Sequence, residues 1–275
     1  MKKRVLAILM ALAMVALCAA CGKKEPAVDY TTAEGISGAT VVAEQESAGE
    51  TVIAEDEFFA KAEYTAVESQ ARALMEVSAG TADAAVVDYV MSIGSIGEGT
   101  DYEDLQLVEG VEFAPEEYGI AFRKGSDMAY MVNMAIAELR EEGKLQEIAE
   151  TYKLEDLITA DADFEPIQQA DSDWEYIRNK GELIIGITLF QPMNYYDDNG
   201  ELIGFETEFA KAVCDKMGIK AVFQEISWAA KETELEAKNI DCIWNGMTIT
   251  DERQEAMSLS IPYMRNKQVL IAKVK

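Results

Sequence analysis

Histidine is absent from the sequence, and its absence excludes several kinds of chemistry. None of the 275 residues is a histidine, so the chain cannot provide a serine–histidine or cysteine–histidine nucleophile pair, a histidine zinc site or an imidazole base near neutral pH. Carboxylates, lysine, tyrosine and cysteine remain as possible catalytic groups. The absence slightly favours a binding protein over an enzyme.

Basic residues are also few. The chain carries 24 lysines and arginines against 51 aspartates and glutamates, which gives a formal net charge of −27 at pH 7. Such a surface repels nucleic acid and anionic lipid headgroups and favours solubility, so nucleic acid is not expected as a partner. Apolar residues make up 49% of the chain, enough to bury a sizeable core in one or two domains.

The apolar run at the N-terminus is too short to span a bilayer. It covers Val5–Leu17 and follows three basic residues, whereas a spanning helix needs about 20 apolar residues. This pattern is typical of an export signal. The following Cys18-Ala-Ala-Cys21 is similar to the bacterial lipobox, with Cys18 where leucine is usual. We therefore predict a lipoprotein signal peptide over residues 1–20, lipidation of Cys21 and a tether over residues 21–28. An ordinary secretory signal is the alternative.

Two cysteines remain beyond that segment, Cys214 and Cys242. They lie in a predicted helix and a predicted strand, and we interpret them as small buried residues. The compartment of an exported protein permits a disulfide between them, although their spacing does not indicate one. Neither belongs to a CxxC pair or to a metal-ligand spacing, so neither a metal nor a cofactor is expected.

Short apolar runs alternate with segments of helical periodicity in the rest of the chain. The runs predicted as strands are Thr40–Ala43, Phe58–Tyr64, Ala84–Val87, Leu105–Val111, Tyr118–Phe122, Leu183–Ile187, Ala221–Phe223, Cys242–Trp244 and Val269–Ala272. The predicted helices are one that begins near Glu50, Ser69–Val77, Asp127–Gly143, Leu145–Tyr152 and Phe205–Met217. Gly94–Asp101 is predicted as a loop. The alternation predicts an α/β fold whose mostly parallel sheets are flanked by helices. An acidic, aperiodic segment over residues 154–173 predicts a linker between two lobes, with a ligand at the carboxyl ends of the strands.

One stretch combines a strand end with groups suited to a carboxylate. The apolar run Cys242–Trp244 stops at Asn245-Gly246, a pair that is common where a strand ends and a loop turns. Thr248 and Arg253 follow closely. A guanidinium group matches the two oxygens of a carboxylate, and free backbone N–H groups can add to it. The stretch therefore predicts a carboxylate site.

Motifs in both halves of the chain are similar to those of one known family. In the second half they are Gly181–Thr188 (GELIIGIT), Asp198–Ala210 (DNGELIGFETEFA) and Asn239–Arg253 (NIDCIWNGMTITDER). Through them, Trp174–Lys275 resembles the first lobe of the extracellular amino-acid-binding proteins of ABC importers, in the polar amino acid family. In the first half, Tyr30–Tyr152 resembles the rest of that family through Gly38–Ala43 (GATVVA), Gly80–Asp88 (GTADAAVVD) and Glu117–Gly125 (EYGIAFRKG).

The order of these parts is reversed relative to the family. The strand that Val269–Lys275 resembles leads, in the family, directly into the segment that Asp29–Gly38 resembles. The resemblance therefore implies a circularly permuted, two-lobed fold of the type II periplasmic-binding-protein kind, with Lys275 beside Asp29 at the hinge. The implied parts are lobe 2 at 29–117, a hinge strand at 118–124, helices of lobe 1 at 125–153, the linker at 154–173, lobe 1 at 174–264 and a second hinge strand at 265–275.

The resemblance also implies which residues hold the α-amino and α-carboxylate groups of a ligand. Arg253 would bind the carboxylate with both ends of its guanidinium group, and Thr248 would assist through its N–H and hydroxyl groups. The Gly246 carbonyl would accept a hydrogen bond from the ammonium group. Asp88, from the other lobe, would supply the countercharge.

Further contacts are implied on both sides of the same ligand. Ser47 and Ala48, at the start of a helix, would offer N–H groups to the carboxylate. Phe190 and Trp228 would enclose the side chain of the ligand between two aromatic rings. The sequence departs from the family at Glu46, where a small residue is usual, and it leaves the identity of the amino acid open.

The resemblance implies a function in transport rather than in catalysis. We expect a lipid-anchored monomer, at the outer face of the cell membrane or in the periplasm, that closes its lobes on a free amino acid and delivers it to the permease of an ABC importer. One alternative is a dehydratase-type enzyme on the same fold that acts on a cyclic carboxylic acid, with Glu44 or Glu46 as its general acid. The other is the ligand-sensing module of a signalling system.

Overall fold

The computed structural model describes residues 29–159, 163–166 and 172–274. Several sequence predictions fall outside these ranges and stay predictions. They concern the signal peptide, the lipidated Cys21, the tether and the position of Lys275 beside Asp29. Within the described ranges, no helix has the length and apolar character needed to cross a membrane.

The first half of the chain forms a parallel sheet, here called the β3 sheet. Its strands and the helices that follow them are β1 (Thr40–Glu44), α1 (Ala48–Glu55), β2 (Glu63–Val67), α2 (Gln70–Ala79), β3 (Ala84–Asp88) and α3 (Tyr89–Ser95). A short strand, β4 (Leu105–Leu107), follows and is antiparallel to Ile271–Lys273 near the end of the chain. Strand β1 lies between β2 and β3 and is parallel to both. All five residues of β3 are buried, as expected for an inner strand that is covered on both faces.

The second half forms another sheet, here called the β10 sheet. The elements of this half are β5 (Pro115–Phe122), α4 (Met128–Glu141), α5 (Lys144–Thr151), α6 (Asp173–Lys180), β6 (Glu182–Ile187), β7 (Tyr195–Tyr196), β8 (Leu202–Ile203), α7 (Phe205–Met217), β9 (Lys220–Glu225), α8 (Lys231–Glu236), β10 (Cys242–Thr248), α9 (Asp251–Ala256), β11 (Ser258–Leu259) and β12 (Met264–Lys273). Strands β7 and β8 pair with each other in a separate two-stranded antiparallel sheet. Strands β10, β6 and β9 are parallel neighbours, and β5 and β11 complete the sheet with antiparallel pairings.

Strand β12 joins the two sheets. Its first part, Met264–Lys267, is antiparallel to β5, and its second part, from Gln268 to Ala272, is antiparallel to β3. The result is a mixed α/β fold with parallel strands on the outside of each sheet and antiparallel pairings around β5 and β12. The α/β, two-lobed fold class predicted from the sequence is confirmed. The permutation and the boundaries between lobes stay predictions.

Helices α4 and α7 pack against each other and against the β10 sheet. The face of α4 predicted from its periodicity, which includes Met128 and Val132, is buried. In α7, Phe209 meets Trp244 of β10 edge to face, with ring centroids 5.1 Å apart. Each large apolar side chain buried in this way contributes roughly 1.5–3 kcal/mol relative to an exposed one.

Several boundaries differ from those predicted; the strand predicted at Leu105–Val111, for example, ends at Leu107, and the one predicted at Val269–Ala272 begins at Met264. Strand β10 does not end at Asn245-Gly246 but continues to Thr248, because Gly246 takes a φ of 56° and forms an irregularity in the pairing with β5 instead of a turn. The strand predicted at Phe58–Tyr64 is a short 3₁₀ turn followed by β2. The loop predicted at Gly94–Asp101 begins inside α3, which ends at Ser95.

The described part of the predicted linker is packed against the fold. Leu154 is fully buried, and Ile158 forms an antiparallel bridge with Met264. The backbone N–H of Thr159 donates a hydrogen bond of 3.0 Å to the carbonyl oxygen of Tyr263. The first residues of the predicted linker, 154–173, therefore lie beside the start of β12 and form hydrogen bonds there.

Candidate functional site

A cavity lies where strands of the β3 sheet and the β10 sheet end. Its volume is about 370 Å³, including the part that is open to solvent. Thirteen residues line it: Glu44, Ser47, Ala48, Gln70, Asp88, Thr188, Leu189, Phe190, Trp228, Asn245, Gly246, Thr248 and Arg253. The structure thus brings all eight predicted ligand-binding residues together around one space, although they are separated by up to two hundred positions in the chain. Their role toward a ligand stays a prediction.

Arg253 reaches the cavity from the short helix α9. The helix begins at Asp251, and the hydroxyl of Thr250 caps it by accepting a 3.2 Å hydrogen bond from the Arg253 N–H. Among the described residues, the guanidinium group makes one hydrogen bond, 2.7 Å from Nη1 to the Thr248 carbonyl oxygen, and no ion pair. Burial lowers the pKa of Arg253, but an arginine remains charged in a protein. The group is therefore a fixed cation with free donors.

Gly246 allows the ring of Phe190 to approach the backbone of β10. A Cβ atom at this position would lie 2.6 Å from Phe190 Cε1, and the φ of 56° is itself unfavourable for other residues. The Gly246 N–H donates a hydrogen bond of 2.8 Å to Oε1 of the buried Glu206. This bond fixes the peptide unit that precedes the Gly246 carbonyl, which is predicted to face the ligand.

Thr248 contributes its side chain to a neighbouring carboxyl group. Its hydroxyl donates a 3.2 Å hydrogen bond to Oε2 of Glu116, and its carbonyl accepts the bond from Arg253. The sequence analysis expected the hydroxyl to assist at the ligand carboxylate. In this structure the hydroxyl instead holds Glu116, because β5 and β10 are antiparallel neighbours at this point.

Asp88 ends strand β3 and is held by three amide side chains. Asn266 and Gln268 of β12 donate to Oδ1, the latter over 2.8 Å, and Gln70 donates to Oδ2. The same two β12 amides donate to Glu116 Oε2, each over 3.0 Å. Burial raises the pKa of Asp88, and burial followed by the charge of Asp88 raises the pKa of Glu116 to about 7. Two carboxyl groups thus share donors beside the cavity.

The start of α1 offers less to a ligand than the sequence predicted. The Ser47 hydroxyl caps the helix by accepting a 3.2 Å bond from the Glu50 N–H, and the Ser47 N–H donates to the Glu44 carbonyl oxygen over 3.2 Å. The Ser47 N–H is therefore occupied, since the preceding Glu46 turns the chain back with a φ of 57°. The Ala48 N–H has no partner among the residues that the structure describes.

Trp228 closes the cavity on the side of the β10 sheet. The residue is 5% exposed, and its Nε1 atom has no hydrogen-bond partner within the described ranges. The ammonium group of Lys231 lies 4.9 Å from the centroid of the indole ring, where cation–π attraction is favourable. Lys231 Nζ also donates to the Glu46 carbonyl oxygen over 3.4 Å. This contact connects α8 of one sheet to the loop after β1 of the other.

Glu44 is the last residue of β1 and is 4% exposed. Its Oε1 atom is buried and has no hydrogen-bond partner in the part of the chain that the structure describes. Burial, and then the charge of Asp88, raises the pKa of Glu44 to about 8, while Lys231 acts in the opposite direction. The sequence analysis named Glu44 as a candidate general acid and not as a binding residue.

Four lining residues were not predicted: Gln70, Thr188, Leu189 and Asn245. Thr188 and Asn245 bond to each other, with Thr188 N–H to Asn245 Oδ1 at 3.0 Å and Asn245 Nδ2 to the Thr188 carbonyl at 3.0 Å. Thr188 directly follows β6, and Gln70 is the first residue of α2. The rule that ligands bind at the carboxyl ends of strands could have found Thr188. No local signal in the sequence marks Gln70.

No group of three or more cysteine, aspartate and glutamate side chains in the described residues could hold a metal ion. The charged groups that face the cavity are instead one arginine and two carboxyl groups. Such an arrangement can bind a small molecule that carries charges of both signs.

Comparison with known proteins finds relatives of the second half of the chain. Residues 183–275 match the family model of bacterial extracellular solute-binding proteins, family 3, which confirms the resemblance predicted for this part of the chain. The L-cystine-binding protein TcyJ of Escherichia coli K12 is 33% identical over 88 residues, which are 32% of this chain and 33% of that protein. A probable amino-acid ABC transporter-binding protein of Haemophilus influenzae is 29% identical over 118 residues, or 42% of this chain and 46% of that protein.

Similar solved structures come from the same class of protein. A substrate-binding protein of a polar amino acid ABC uptake transporter from Streptococcus thermophilus is 40% identical, with a TM-score of 0.29, over 30% of this chain and 32% of that chain. A related protein from Streptococcus pneumoniae with bound histidine is 39% identical, with a TM-score of 0.30, over 30% and 35% of the two chains. The chain spans less than half of the length of each relative named here.

Proposed function

We propose that the chain captures a free amino acid in the cavity and presents it to the permease of an ABC importer. The observation that carries the proposal is the pairing of opposite charges in one small space. The guanidinium group of Arg253, without an ion pair among the described residues, and the carboxyl group of Asp88 line the same cavity from the two sheets. An α-amino acid carries the two complementary charges on neighbouring atoms.

The arrangement of donors and acceptors gives each end of the ligand a partner. Arg253 would bind the α-carboxylate with two N–H groups, and the free Ala48 N–H would add a third donor. Asp88 and the Gly246 carbonyl would accept from the α-ammonium group. Each hydrogen bond to a charged group contributes about 1.5–3 kcal/mol.

Contacts between the two sheets on either side of the cavity support capture by closure. Lys231 meets the Glu46 carbonyl on one side, and Gln191 Nε2 donates to the Gly94 carbonyl oxygen over 3.0 Å on the other. A ligand held between the sheets would stabilise this closed arrangement, which a transporter can distinguish from an open one. The predicted lipid anchor at Cys21 would keep the protein beside the permease.

The ligands named for several relatives agree with a ligand of this class. They include cystine and octopine, and one solved relative holds histidine. Cystine, octopine and histidine are amino acids or amino-acid derivatives. The family match therefore supports an amino acid as the class of ligand, and the side chains that line the cavity determine which amino acid binds.

Calorimetric titration with the twenty amino acids tests the proposal. The chain from residue 29 onward would be unfolded in guanidinium chloride and dialysed before refolding, so that any bound amino acid is removed. We expect at least one amino acid to bind. Arg253→Ala should weaken its binding by about 30-fold or more, because loss of one partner of a buried charge pair costs about 2–5 kcal/mol.

Arg140→Ala is the matched control, since Arg140 is exposed on α4. This variant should bind like the parent protein. Failure of every amino acid to bind, or equal binding by the parent and by Arg253→Ala, would contradict the proposed function.

One observation favours a second candidate. A carboxyl group with a pKa of about 8, such as Glu44, is protonated at neutral pH and suits a general acid that protonates a leaving hydroxyl group. A dehydratase acting on a cyclic carboxylic acid would use Arg253 for the carboxylate and Glu44 for the proton. Incubation with prephenate-like acids, followed by the absorbance of an aromatic product, distinguishes the two functions: turnover would replace the binding proposal by this one.

A further inference from the structure

Glu44 is the one cavity-lining acid that the proposed mode of binding leaves without a partner. The α-carboxylate of an amino acid would neutralise Arg253, and its α-ammonium group would neutralise Asp88. We infer that the ligand carries a second positive charge, on its side chain, and that Glu44 selects it. The inference rests on the proposed function and narrows its ligand to amino acids with a cationic side chain.

The surroundings of Glu44 differ from those of the other buried acids. Asp88 accepts hydrogen bonds from three amide side chains. Glu206, outside the cavity, accepts from the Gly246 N–H, from Asn194 Nδ2 and from the Tyr263 hydroxyl. Glu44 Oε1 is buried and has no such partner among the described residues. A buried carboxyl oxygen without a donor is unfavourable, and a ligand donor in the cavity would remove this cost.

No cation of the protein supplies that partner in the described part of the chain. The nearest candidate is Lys231, which influences the charge of Glu44 but forms no ion pair with it within 4 Å; its ammonium group lies 3.9 Å from Glu46 Oε2. Lys231 Nζ is also committed to the Glu46 carbonyl and to the ring of Trp228. The other acid beside Glu44 is Asp88, on β3, which increases the negative potential there. The space next to Glu44 is therefore suited to a cation.

The aromatic rings agree with this assignment. Phe190 and Trp228 line the same cavity as Glu44 and would enclose the methylene groups of a long side chain. A guanidinium or ammonium group at the end of that chain can interact with a ring face as well as with a carboxylate. Lysine, ornithine and arginine satisfy both requirements, whereas an acidic side chain supplies no cation to pair with Glu44.

Pairs of ligands with the same shape and different charge provide the first test, and it needs no variant. Arginine and citrulline differ in a guanidinium against a ureido group, and lysine and norleucine differ in the terminal ammonium group. We expect the protein to bind the charged member of at least one pair about 30-fold more tightly, or more, since a buried charge left unpaired costs about 2–5 kcal/mol. Tighter binding of the neutral members would overturn the inference.

Glu44→Gln provides the second test, because glutamine keeps the size of the side chain and removes its charge. The variant should lose about 30-fold or more in affinity for the cationic amino acid, and its affinity for the neutral member of the pair should change much less. Glu55→Gln, an exposed glutamate on α1, is the matched control. An equal loss for both members of the pair would mean that Glu44 contacts the α-ammonium group or only supports the fold, and would overturn the inference.

Proton release is a readout that a purely structural role would not produce. Glu44 has a pKa of about 8 in the ligand-free cavity, so it holds a proton at pH 7, and an entering cation should displace that proton. Titrations at pH 7 in phosphate and in Tris, which differ in ionisation enthalpy, should report release of close to one proton per bound cation. Glu44→Gln should abolish the release. Absence of release in the parent protein would contradict the pairing, whereas failure of all amino acids to bind would contradict the proposed function instead.

Discussion

Three glutamates in the interior carry pKa values far above the ordinary value of a glutamate. Burial is the largest cause in each case, and it raises the pKa of Glu44 to about 8 and those of Glu116 and Glu206 to about 7. In the unfolded chain the same groups titrate near pH 4.3. Between these values the folded protein binds protons that the unfolded chain releases. The three residues therefore couple folding to pH.

The sign of this coupling gives a prediction for the ligand-free protein. Because the folded state holds more protons than the unfolded state above pH 4.5, the free energy of unfolding should be highest near pH 5 and fall as the pH rises through 7 and 8. The self-repulsion of a chain with a net charge of −27 acts in the same direction. We expect the thermal midpoint to be lower at pH 8.0 than at pH 5.5 by roughly 4–8 °C or more, which corresponds to about 2 kcal/mol.

Scanning calorimetry after removal of bound ligand measures this difference. Glu44→Gln should reduce the difference between the two pH values, because one of the three groups no longer titrates, and Glu55→Gln should not. Measurements in high salt should lower the part that comes from surface repulsion and leave the part that comes from the buried groups. A midpoint that is constant or rises from pH 5.5 to pH 8.0 would show that these carboxyl groups are not buried in solution.

Residues of the candidate site could be predicted from the sequence where they lie together in one short motif. Arg253, Thr248 and Gly246 lie within fifteen residues of one another in the motif Asn239–Arg253, and all three line the cavity. The amides that hold Asp88 could not be predicted in the same way, because Asn266 and Gln268 lie 178 and 180 positions away from it. Such contacts depend on the pairing of β12 with β3, which no local pattern specifies.

At the scale of elements, helix α3 and the segment after β6 meet across the edge of the cavity. The Gly94 carbonyl oxygen accepts the hydrogen bond from Gln191 Nε2. A Cβ atom at Gly94 would lie 2.9 Å from Pro192 Cδ and 3.1 Å from Pro192 N, closer than atoms of this kind pack. The absence of a side chain at Gly94 therefore lets the two sheets approach each other at this point.

Gly94→Ala should weaken ligand binding without weakening the fold. Alanine is more favourable than glycine inside a helix by about 1 kcal/mol, so α3 itself gains stability. The contact with Pro192 exists only when the sheets are close, and overpacking costs about 1–3 kcal/mol, which corresponds to roughly 5- to 150-fold in affinity. Titration with the bound amino acid measures the loss, and small-angle scattering with and without ligand measures closure.

Glu98→Ala, a change in the exposed loop that follows α3, is the control for this experiment. It should leave both affinity and closure unchanged. If Gly94→Ala reduces the free energy of unfolding of the ligand-free protein by as much as it reduces the free energy of ligand binding, the glycine supports the fold rather than the closing movement.

Elements with a strong pattern were predicted well, and elements with mixed signals were not. Helix α7 has the predicted bounds Phe205–Met217 because its apolar face is regular and glycines flank it. Strand β10 extends beyond its predicted end because Asn-Gly is common in turns, whereas here the flexibility of Gly246 lets the strand continue past Phe190. Helix α3 was missed since it follows β3 without a loop and contains a glycine.

At the scale of the whole molecule, the first and the last strands of the described chain lie on the two sides of β3. Ala84 pairs with Val41 of β1 on one side and with Ala272 of β12 on the other. The start of β1 and the end of β12 are therefore about two strand spacings apart, or roughly 10 Å. Tyr30 is also tied to this edge through its hydrogen bond with Asp83. This placement supports the proposal that the chain is a circular permutant.

The fold class could be predicted without knowing the order of the lobes, because each lobe has its own local patterns. Strand and helix periods depend on neighbouring residues, and the order of the lobes does not change them. The sequence did not predict which contacts hold the predicted linker, residues 154–173, against the fold. Arg123, at the end of β5, pairs with Asp173 of α6 over 3.2 Å, and the segment after α5 adds to β12 through Ile158. The two contacts lie at the start and at the end of the predicted linker 154–173.

A chain with the family's order of lobes tests the permutation directly. It would run from residue 172 to 274, through a linker of about four glycine and serine residues, and on from residue 30 to 159. Such a linker spans roughly 10–12 Å, and residues 30–39 add further length between it and the start of β1 at Thr40. We expect a single cooperative unfolding transition and affinity for the same amino acid within about threefold, since loop length alone changes stability by only about 0.6 kcal/mol per doubling.

A second rearranged chain that is opened between Asn266 and Lys267, inside β12, should fail to fold because it cuts the strand that joins the two sheets. If the first chain also fails, or unfolds in two separate steps, the two strand ends are not interchangeable with a linker and the permutation is wrong.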